Sequence, residues 1–278
     1  MTARAHIFAN CIAFFCFAVL ATGCTTTAAL RASPFEIPSE RFAAIVVEES
    51  SGKVLFDVRS NAIRFPASLT KMMTIFMVLE ALENGTLSMS TQITFSPTAS
   101  AKPASKLWIK PGDSVSVDQA LTALAVKSAN DVACAVAEHL SGTEQQFAVD
   151  MTRKARSLGM MSTTFRNASG LPDKRQVTTA KDMARLGIVL RQRFPKHFYY
   201  FKQQSMQFRG KTIRGHNRVL GSLKGADGIK TGYTRASGFN LVTSAQTRRG
   251  RVVGVILGEN SSKTRDAHMV QLFNAYAN

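Results

Sequence analysis

The stretch RFPASLTKMMT, residues 64–74, starts a strongly apolar helical pattern and places a hydroxyl three positions before an amine. Ser68 and Lys71 are spaced i, i+3, so on a helix both side chains lie on one face, one turn apart. Two interpretations are open. In the structural one, Ser68 caps a helix and Lys71 reaches solvent. In the catalytic one, Ser68 is a nucleophile near the positive end of the helix dipole, and Lys71 accepts its proton.

The pattern around this stretch predicts strands at the start of the chain and again near its end. Residues 42–58 contain two apolar runs joined at SSGK, which indicates a β-hairpin. Helical spacing dominates the middle of the chain, and strand patterns follow residue 200 before a closing helix. We expect an α+β fold: an antiparallel β-sheet flanked by helices, with an inserted all-helical subdomain at about residues 90–195.

The region between the first two long helical patterns is less regular. Residues 91–118 show no clear periodicity, so we expect irregular structure there, ending at a helix that Ser116 or Asp118 would cap. The helical stretch that follows is interrupted near residues 127–131. The sequence therefore predicts a break in a buried helix at this point.

Two further polar motifs interrupt apolar segments. Ser128 and Asn130, in SAN, lie at the helical break, where buried polar groups must find hydrogen-bond partners. Lys230, Thr231 and Gly232 lie on a late strand, where glycine lets another extended chain lie alongside the edge. Each motif alone also fits a structural role. The three motifs come from separate parts of the chain, in the order Ser-x-x-Lys, Ser-x-Asn and Lys-Thr-Gly.

The segments PASLTKMMT, SANDVACAVAEHL, FRNASGLPD, GADGIKTGYT and SGFNLVTSA resemble the low-molecular-mass penicillin-binding proteins, the serine-type D-alanyl-D-alanine carboxypeptidases of the bacterial envelope. The resemblance covers about residues 35–278 and implies a β-lactamase/transpeptidase-like catalytic domain. It implies an enzyme that removes the terminal D-alanine from peptidoglycan stem pentapeptides through an acyl-enzyme. Such an enzyme needs no cofactor and no metal, and β-lactam antibiotics acylate and inhibit it.

The resemblance also implies residue roles. Ser68 would be the nucleophile, Lys71 the proton acceptor, and Ser128 the relay that protonates the leaving amine. The backbone N–H groups of Ser68 and Tyr233 would form the oxyanion hole. Six residues would bind the substrate: Asn130, Lys230, Thr231, Gly232, Tyr233 and Arg265. For Arg265 a solvated surface arginine is the alternative, because the chain has many basic residues.

Two departures from the family pattern shape the expected activity. The loop FRNASGLPDKRQVT, residues 165–178, has no glutamate to resemble the deacylating carboxylate of class A β-lactamases, so slow release of penicillin is expected. The C-terminal β-domain of many relatives is not expected either, because the sequence ends soon after the catalytic domain. A D,D-endopeptidase that cuts peptidoglycan cross-links, and a β-lactamase, remain alternatives.

The first 30 residues predict a signal peptide, with a weakly basic start and a short apolar run. The segment LATGC ends at Cys24 and resembles a bacterial lipobox, whose cysteine would be lipidated and attach the protein to a membrane. Cleavage near Ala28 would instead release a soluble protein. Either interpretation predicts export to the periplasm or cell envelope.

The distribution of charge and the spacing of the histidines argue against a nucleic-acid-binding protein and against a metalloprotein. The formal net charge is +17, but the basic residues are scattered and no nucleic-acid motif accompanies them, so we expect a basic surface and no nucleic-acid partner. The five histidines show no ligand spacing, so no metal site is expected. After the leader and Cys24, only Cys134 remains, in an apolar helical pattern, and no disulfide is predicted.

Overall fold

The computed structural model describes residues 1–2 and 36–277. Apart from residues 1–2, the predicted signal peptide lies outside the described residues, and so does Cys24. The strands of the described chain are β1 (Ala43–Glu48), β2 (Val54–Val58), β3 (Gln92–Thr94), β4 (Ser114–Ser116), β5 (Ser205–Phe208), β6 (Lys211–Arg214), β7 (Ala226–Thr234), β8 (Gly238–Thr247) and β9 (Gly250–Glu259). The helices are α1 (Lys71–Glu83), α2 (Pro97–Ser100), α3 (Val117–Thr122), α4 (Asn130–Ser141), α5 (Glu144–Ser157), α6 (Ala180–Arg193), α7 (Tyr199–Lys202), α8 (Val219–Ser222) and α9 (Ser262–Tyr276).

Both ends of the described fold contribute to one antiparallel sheet. Its strand order is β2-β1-β9-β8-β7, so the first hairpin pairs with the last strand. Val46 pairs with Gly254 across β1 and β9, and Val242 pairs with Val255 across β8 and β9. Helices α6 and α9 pack on this sheet, and β7 forms the edge that faces the segment before α1. The predicted α+β class is confirmed.

Helix α1 is buried on almost every side. Nine of its residues are buried, and it contacts α3, α4, α5 and α6 as well as the turn that precedes it. A helix that is apolar all round needs neighbours all round. Lys71 is the first residue of this helix. Its polar side chain is therefore buried because the helix as a whole packs in the interior.

The stretch predicted as irregular contains a small two-stranded sheet. β3 and β4 pair antiparallel with Ile93 opposite Val115, and each has only three residues. An alternation this short cannot be told from a loop by periodicity, so the expectation of irregular structure at residues 91–118 was wrong in this detail. The cap prediction is confirmed, because Ser116 accepts from the Gln119 N–H in a capping box that starts α3.

The predicted helical break is present. α3 runs into a short π-helical segment, Ala123–Lys127, and Ser128 then takes a left-handed conformation with φ 62° and ψ 40° before α4 begins. A serine rarely adopts positive φ. The break turns the backbone so that Ser128 and Asn130 face the same side as the start of α1.

The loop at residues 165–178 is held against the segment that carries Ser68. The Asn167 carboxamide accepts from the N–H groups of Ser169 and Gly170, at 3.2 and 2.7 Å. Gly170 has φ 88°, and a Cβ at this position would lie 1.9 Å from the Ala67 carbonyl oxygen. Only glycine fits both the backbone angle and the close approach.

We expect Gly170→Ala to destabilise the protein far more than Gly142→Ala. Both glycines have positive φ, 88° and 75°, but a Cβ on Gly142 meets nothing within 4 Å. The control should therefore lose only the cost of the backbone angle, about 1–2 kcal/mol. Gly170→Ala adds a collision with backbone and should lose roughly 2 kcal/mol more in urea unfolding. Equal losses would contradict the close packing of this loop on the Ser68 segment.

Candidate active site

Ser68 lies in a 3-10 turn, Ala67–Thr70, that leads directly into α1. The α-helix begins at Lys71, so Ser68 stands one turn before it and does not open it. Ala67 has φ 48°, an uncommon angle for alanine. The Asn240 side chain from β8 donates to the carbonyl oxygens of Phe65 and Pro66, at 2.9 and 3.1 Å. The hydroxyl is thus positioned by contacts from the sheet as well as by the turn.

The Lys71 amine is fully buried beside Ser68. Its Nζ lies 3.3 Å from Ser68 Oγ, 2.7 Å from Asn130 Oδ1 and 2.5 Å from the Ser169 carbonyl oxygen. A neutral amine has two N–H donors and one lone pair. With Asn130 and Ser169 accepting the two N–H bonds, the lone pair is left for the Ser68 hydroxyl. This is the arrangement that a general base needs.

Burial lowers the pKa of Lys71 well below its ordinary value, and the Lys230 ammonium lowers this pKa further by repulsion. Asp131 and Glu144 oppose the shift from a distance. Both carboxylates already have partners of their own. Asp131 accepts from backbone N–H groups, and Glu144 pairs with Lys102 at 2.5 Å. The amine is therefore driven towards its neutral form.

Ser128 occupies the helical break opposite Ser68. Its side chain is buried, and within the part of the chain that the structure describes its Oγ has no hydrogen-bond partner. A buried hydroxyl without a partner is uncommon in folded proteins. Here it lines an open cleft, where a ligand can supply the missing hydrogen bond.

Asn130 connects Lys71 to the rim of the cleft. Besides accepting from Lys71, its side chain donates to the Pro103 carbonyl oxygen at 2.9 Å. The neighbouring Asp131 carboxylate accepts from the N–H groups of Leu107 and Trp108, at 2.9 and 3.0 Å. These bonds fix residues 103–108 beside the SAN motif. Asn130 therefore makes a structural contact with Pro103 and also lines the cleft.

Lys230, Thr231 and Gly232 lie on β7, the edge strand of the sheet. Lys230 is buried, and its Nζ donates to the Thr231 carbonyl oxygen at 3.0 Å. Burial and repulsion from Arg265 lower the pKa of Lys230 to about 7. A Cβ on Gly232 would lie 3.0 Å from the Ser68 backbone nitrogen, so glycine allows β7 to approach the Ser68 turn. Tyr233 follows with its ring exposed and stacked on Phe239.

Arg265 comes from α9 and is not a solvated surface arginine. It is only 3% exposed and lines the same cleft. Its guanidinium pairs with Asp266 at 2.7 Å and donates to the Asn240 carbonyl oxygen at 3.4 Å. The pairing holds the guanidinium in place at the cleft.

The structure brings all nine sequence-predicted site residues to one place. A cleft of about 510 Å³ is lined by seven of them: Ser68, Ser128, Asn130, Thr231, Gly232, Tyr233 and Arg265. The amines of Lys71 and Lys230 lie beneath its wall, buried. Among the described residues, no group of three His, Cys, Asp or Glu side chains is arranged to hold a metal ion.

Several residues of the cleft were missed from the sequence. The Ser169 carbonyl oxygen and the Asn240 carboxamide act through contacts between distant segments, although both fall in segments that carry the family resemblance. His216 and Arg218 line the cleft near Arg265, and burial together with repulsion from Lys230 lowers the pKa of His216. Nothing in their local sequence distinguishes these two from the other basic residues.

Comparison with known proteins agrees with this geometry. The pattern of the D-alanyl-D-alanine carboxypeptidase family matches residues 28–261. The D-alanyl-D-alanine carboxypeptidase DacF of Bacillus subtilis is 31% identical over 244 residues, which cover 86% of this chain and 62% of DacF. Similar relatives are matched over 58–62% of their length, so this chain spans about three fifths of the curated relatives.

Solved structures show the same fold. The D-alanyl-D-alanine carboxypeptidase DacD from Francisella tularensis superposes with a TM-score of 0.81 at 29% identity, covering 86% of this chain and 70% of that one. A penicillin-binding protein from Listeria monocytogenes, solved with ampicillin bound, gives a TM-score of 0.75 at 30% identity over 82% of this chain and 95% of that one. The predicted resemblance is confirmed: the chain belongs to the D-alanyl-D-alanine carboxypeptidase family.

Proposed function

We propose that this protein is a penicillin-sensitive serine D,D-carboxypeptidase that removes the terminal D-alanine from peptidoglycan stem pentapeptides. The observation that carries the proposal is the buried Lys71 amine, 3.3 Å from Ser68 Oγ, whose two other hydrogen bonds go to acceptors. A hydroxyl beside a neutral amine in a cleft can be deprotonated as it attacks a carbonyl carbon. Family membership supports the same chemistry.

In the acylation step, Ser68 Oγ forms a bond to the carbonyl carbon between the two D-alanines, and its proton passes to Lys71 Nζ. The developing oxyanion would accept from the backbone N–H groups of Ser68 and Tyr233, which the close approach at Gly232 sets near each other. When the C–N bond breaks, the leaving amine must receive a proton. Ser128 Oγ, with its unfilled hydrogen-bonding capacity, would relay that proton from Lys71.

The substrate carboxylate would lie between the cationic groups at one end of the cleft. Lys230 and Arg265 supply positive charge there, and Thr231 supplies a hydroxyl. A carboxylate close to Lys230 would favour its protonated form and raise its pKa from about 7. Asn130 would orient the acyl part of the peptide. Deacylation then requires a water molecule to attack the ester carbonyl carbon, with Lys71 accepting its proton and returning it to Ser68 Oγ as the ester C–O bond breaks.

A β-lactam would acylate Ser68 and remain attached. In residues 165–178 the single acid is Asp173, and Arg175 binds its carboxylate at 3.1 Å. That carboxylate is thus engaged by Arg175 and is a poor candidate to activate a deacylating water. Slow release favours a penicillin-sensitive enzyme over a β-lactamase.

Incubation with benzylpenicillin should add one penicilloyl group to the wild-type protein and none to Ser68→Ala, as measured by intact mass. Ser128→Ala is the second variant, and it should be acylated more slowly because it removes the relay, by about 10²–10⁴-fold for an acid–base group. D-alanine release from a stem pentapeptide should follow the same order. A covalent adduct on Ser68→Ala would contradict the assignment of the nucleophile.

A different substrate separates the carboxypeptidase from the endopeptidase. Purified cross-linked muropeptides should lose terminal D-alanine and keep their cross-links. Cleavage of the cross-links with no loss of terminal D-alanine would favour the D,D-endopeptidase instead.

We further propose that the protein is exported to the periplasm or cell envelope and is attached to a membrane through a lipid on Cys24. The support is the sequence LATGC after a short apolar run, and Cys24 lies outside the described residues. Among the described residues, no helix has the length and apolar character needed to cross a membrane. In cell fractions, the wild type should partition with detergent and Cys24→Ala should not. Equal partitioning of the two would contradict the anchor.

A further inference from the structure

The start of β7 holds a group of charged side chains that the proposed reaction does not use. Asp227, the second residue of β7, accepts from Nη1 of Arg251 on β9, and Nη2 of Arg191 on α6 lies 3.9 Å from the same carboxylate oxygen. Glu49, just after β1, lies 3.9 Å from Arg251 Nε. The side chains of these four residues are 14–23% exposed. We call them the charged cluster.

Asp227 is also the residue at which the pairing of β7 with β8 shifts. Ala226 lies opposite Ala245, but Gly228 lies opposite Ser244, so Asp227 is an extra residue on β7 with no opposite residue on β8. An extra residue of this kind is a β-bulge, which bends a strand locally and often re-aims a side chain beside an active site. The charged cluster thus lies at the bulge.

The register beyond the bulge decides on which face of the sheet Lys230 lies. Lys230 is opposite Val242, and Val242 packs on α6, since its Cγ1 would lie 3.3 Å from a Cβ on Gly187. Opposite residues of an antiparallel pair share a face, so Lys230 lies on the face that α6 covers. A slip of one residue would turn its side chain to the other face.

Three elements hold the bulge in place. Arg251 reaches it from β9 and Arg191 from α6. Gly228, directly after the bulge, packs on aromatic residues at α7, because a Cβ on it would lie 3.1 Å from Phe201 Cβ and 3.3 Å from the Phe198 ring. A largely buried carboxylate is costly without its cationic partner. The position of the bulge therefore depends on the pairing of Asp227.

Asp227 acts on Lys230 through the backbone and not through its charge. Three residues of extended chain span about 10 Å. The causes that lower the pKa of Lys230 are its burial and the repulsion from Arg265. The path from the charged cluster to the amine is therefore β7 itself.

We propose that Asp227 and Arg251 are positioning residues of the cleft, whose ion pair fixes the bulge of β7 and thereby the place of the Lys230 amine. This inference rests on the proposed D,D-peptidase function, in which Lys230 attracts the substrate carboxylate. It gives a part in that reaction to two side chains that do not line the cleft.

A displaced Lys230 would have two measurable consequences. The substrate carboxylate would bind more weakly, which raises KM. Repulsion from the Lys230 ammonium also lowers the pKa of Lys71. With the amine further away, the pKa of Lys71 rises, and acylation of Ser68 needs a higher pH.

The first test measures D-alanine release from a stem pentapeptide by Asp227→Asn, Arg251→Gln and the variant with both changes. Either single change should lower kcat/KM by about tenfold, mainly through KM, because a small misplacement of a binding group weakens substrate binding. The double variant should lose about as much as either single one, since two residues that act as a pair are not additive. Arg251→Lys keeps the positive charge and should recover most of the activity.

The matched control is Arg249→Gln, which removes an exposed guanidinium two residues away in the turn between β8 and β9. It should keep the wild-type kcat and KM. Urea unfolding gives the folded fraction of each variant, and all rates are expressed per folded molecule. If Asp227→Asn does not fold, Arg251→Gln and Arg251→Lys provide the same comparison.

The second test follows benzylpenicillin acylation against pH by intact mass. The pH at which the rate rises should be higher in Arg251→Gln than in the wild type and unchanged in Arg249→Gln. A residue that only stabilised the fold would change the amount of folded protein and leave this transition where it is.

The outcomes separate the two proposals. Wild-type KM and an unshifted acylation transition in Arg251→Gln and Asp227→Asn would overturn the positioning role and leave the proposed function standing. An equal loss in Arg249→Gln would overturn the positioning role as well. No release of D-alanine by the wild type would overturn the proposed function and, with it, this inference.

Discussion

The site depends on one arrangement. The Lys71 amine is buried among hydrogen-bond acceptors and lies beside the Ser68 hydroxyl. Placing an ammonium in the interior is costly unless a carboxylate pairs with it. Here the contacts are an amide oxygen, a carbonyl oxygen and Ser68 Oγ, and the nearby acids Asp131 and Glu144 are bound by other donors. Burial therefore lowers the pKa of Lys71 and favours its neutral form, which suits the proposed role of the amine as a base beside Ser68.

The second buried amine strengthens this arrangement. Lys230 lowers the pKa of Lys71, Arg265 lowers the pKa of Lys230, and the Arg265 guanidinium is itself balanced by Asp266. The positive charge of Lys230 and Arg265 therefore lies on the side of the cleft proposed to bind a carboxylate, and it disfavours a further charge on Lys71. The two lysines are chemically alike, but their surroundings suit them to different tasks.

Periodicity predicted much of the scaffold and little of the contact network. The hairpin at the start, the capped helix at Ser116 and the break at Ser128 followed from local patterns. The pair β3 and β4 did not, since three-residue strands leave no readable alternation. The motifs predicted which side chains the fold brings together at the cleft. They could not predict that Asn240 would hold the Phe65 and Pro66 carbonyls, or that the Ser169 carbonyl would accept from Lys71, because these contacts join segments more than 90 residues apart.

The most direct test of the central claim is the titration of the Lys71 amine by NMR in protein labelled with ¹³C at lysine Cε. Loss of one resonance in Lys71→Arg assigns Lys71, and loss of another in Lys230→Arg assigns Lys230. The account predicts that Lys71 titrates well below the ordinary lysine value of about 10.4, and that the rate of penicillin acylation rises with pH through the same transition. A Lys71 resonance that titrates near that ordinary value would show a charged amine beside Ser68 at neutral pH and would contradict the account.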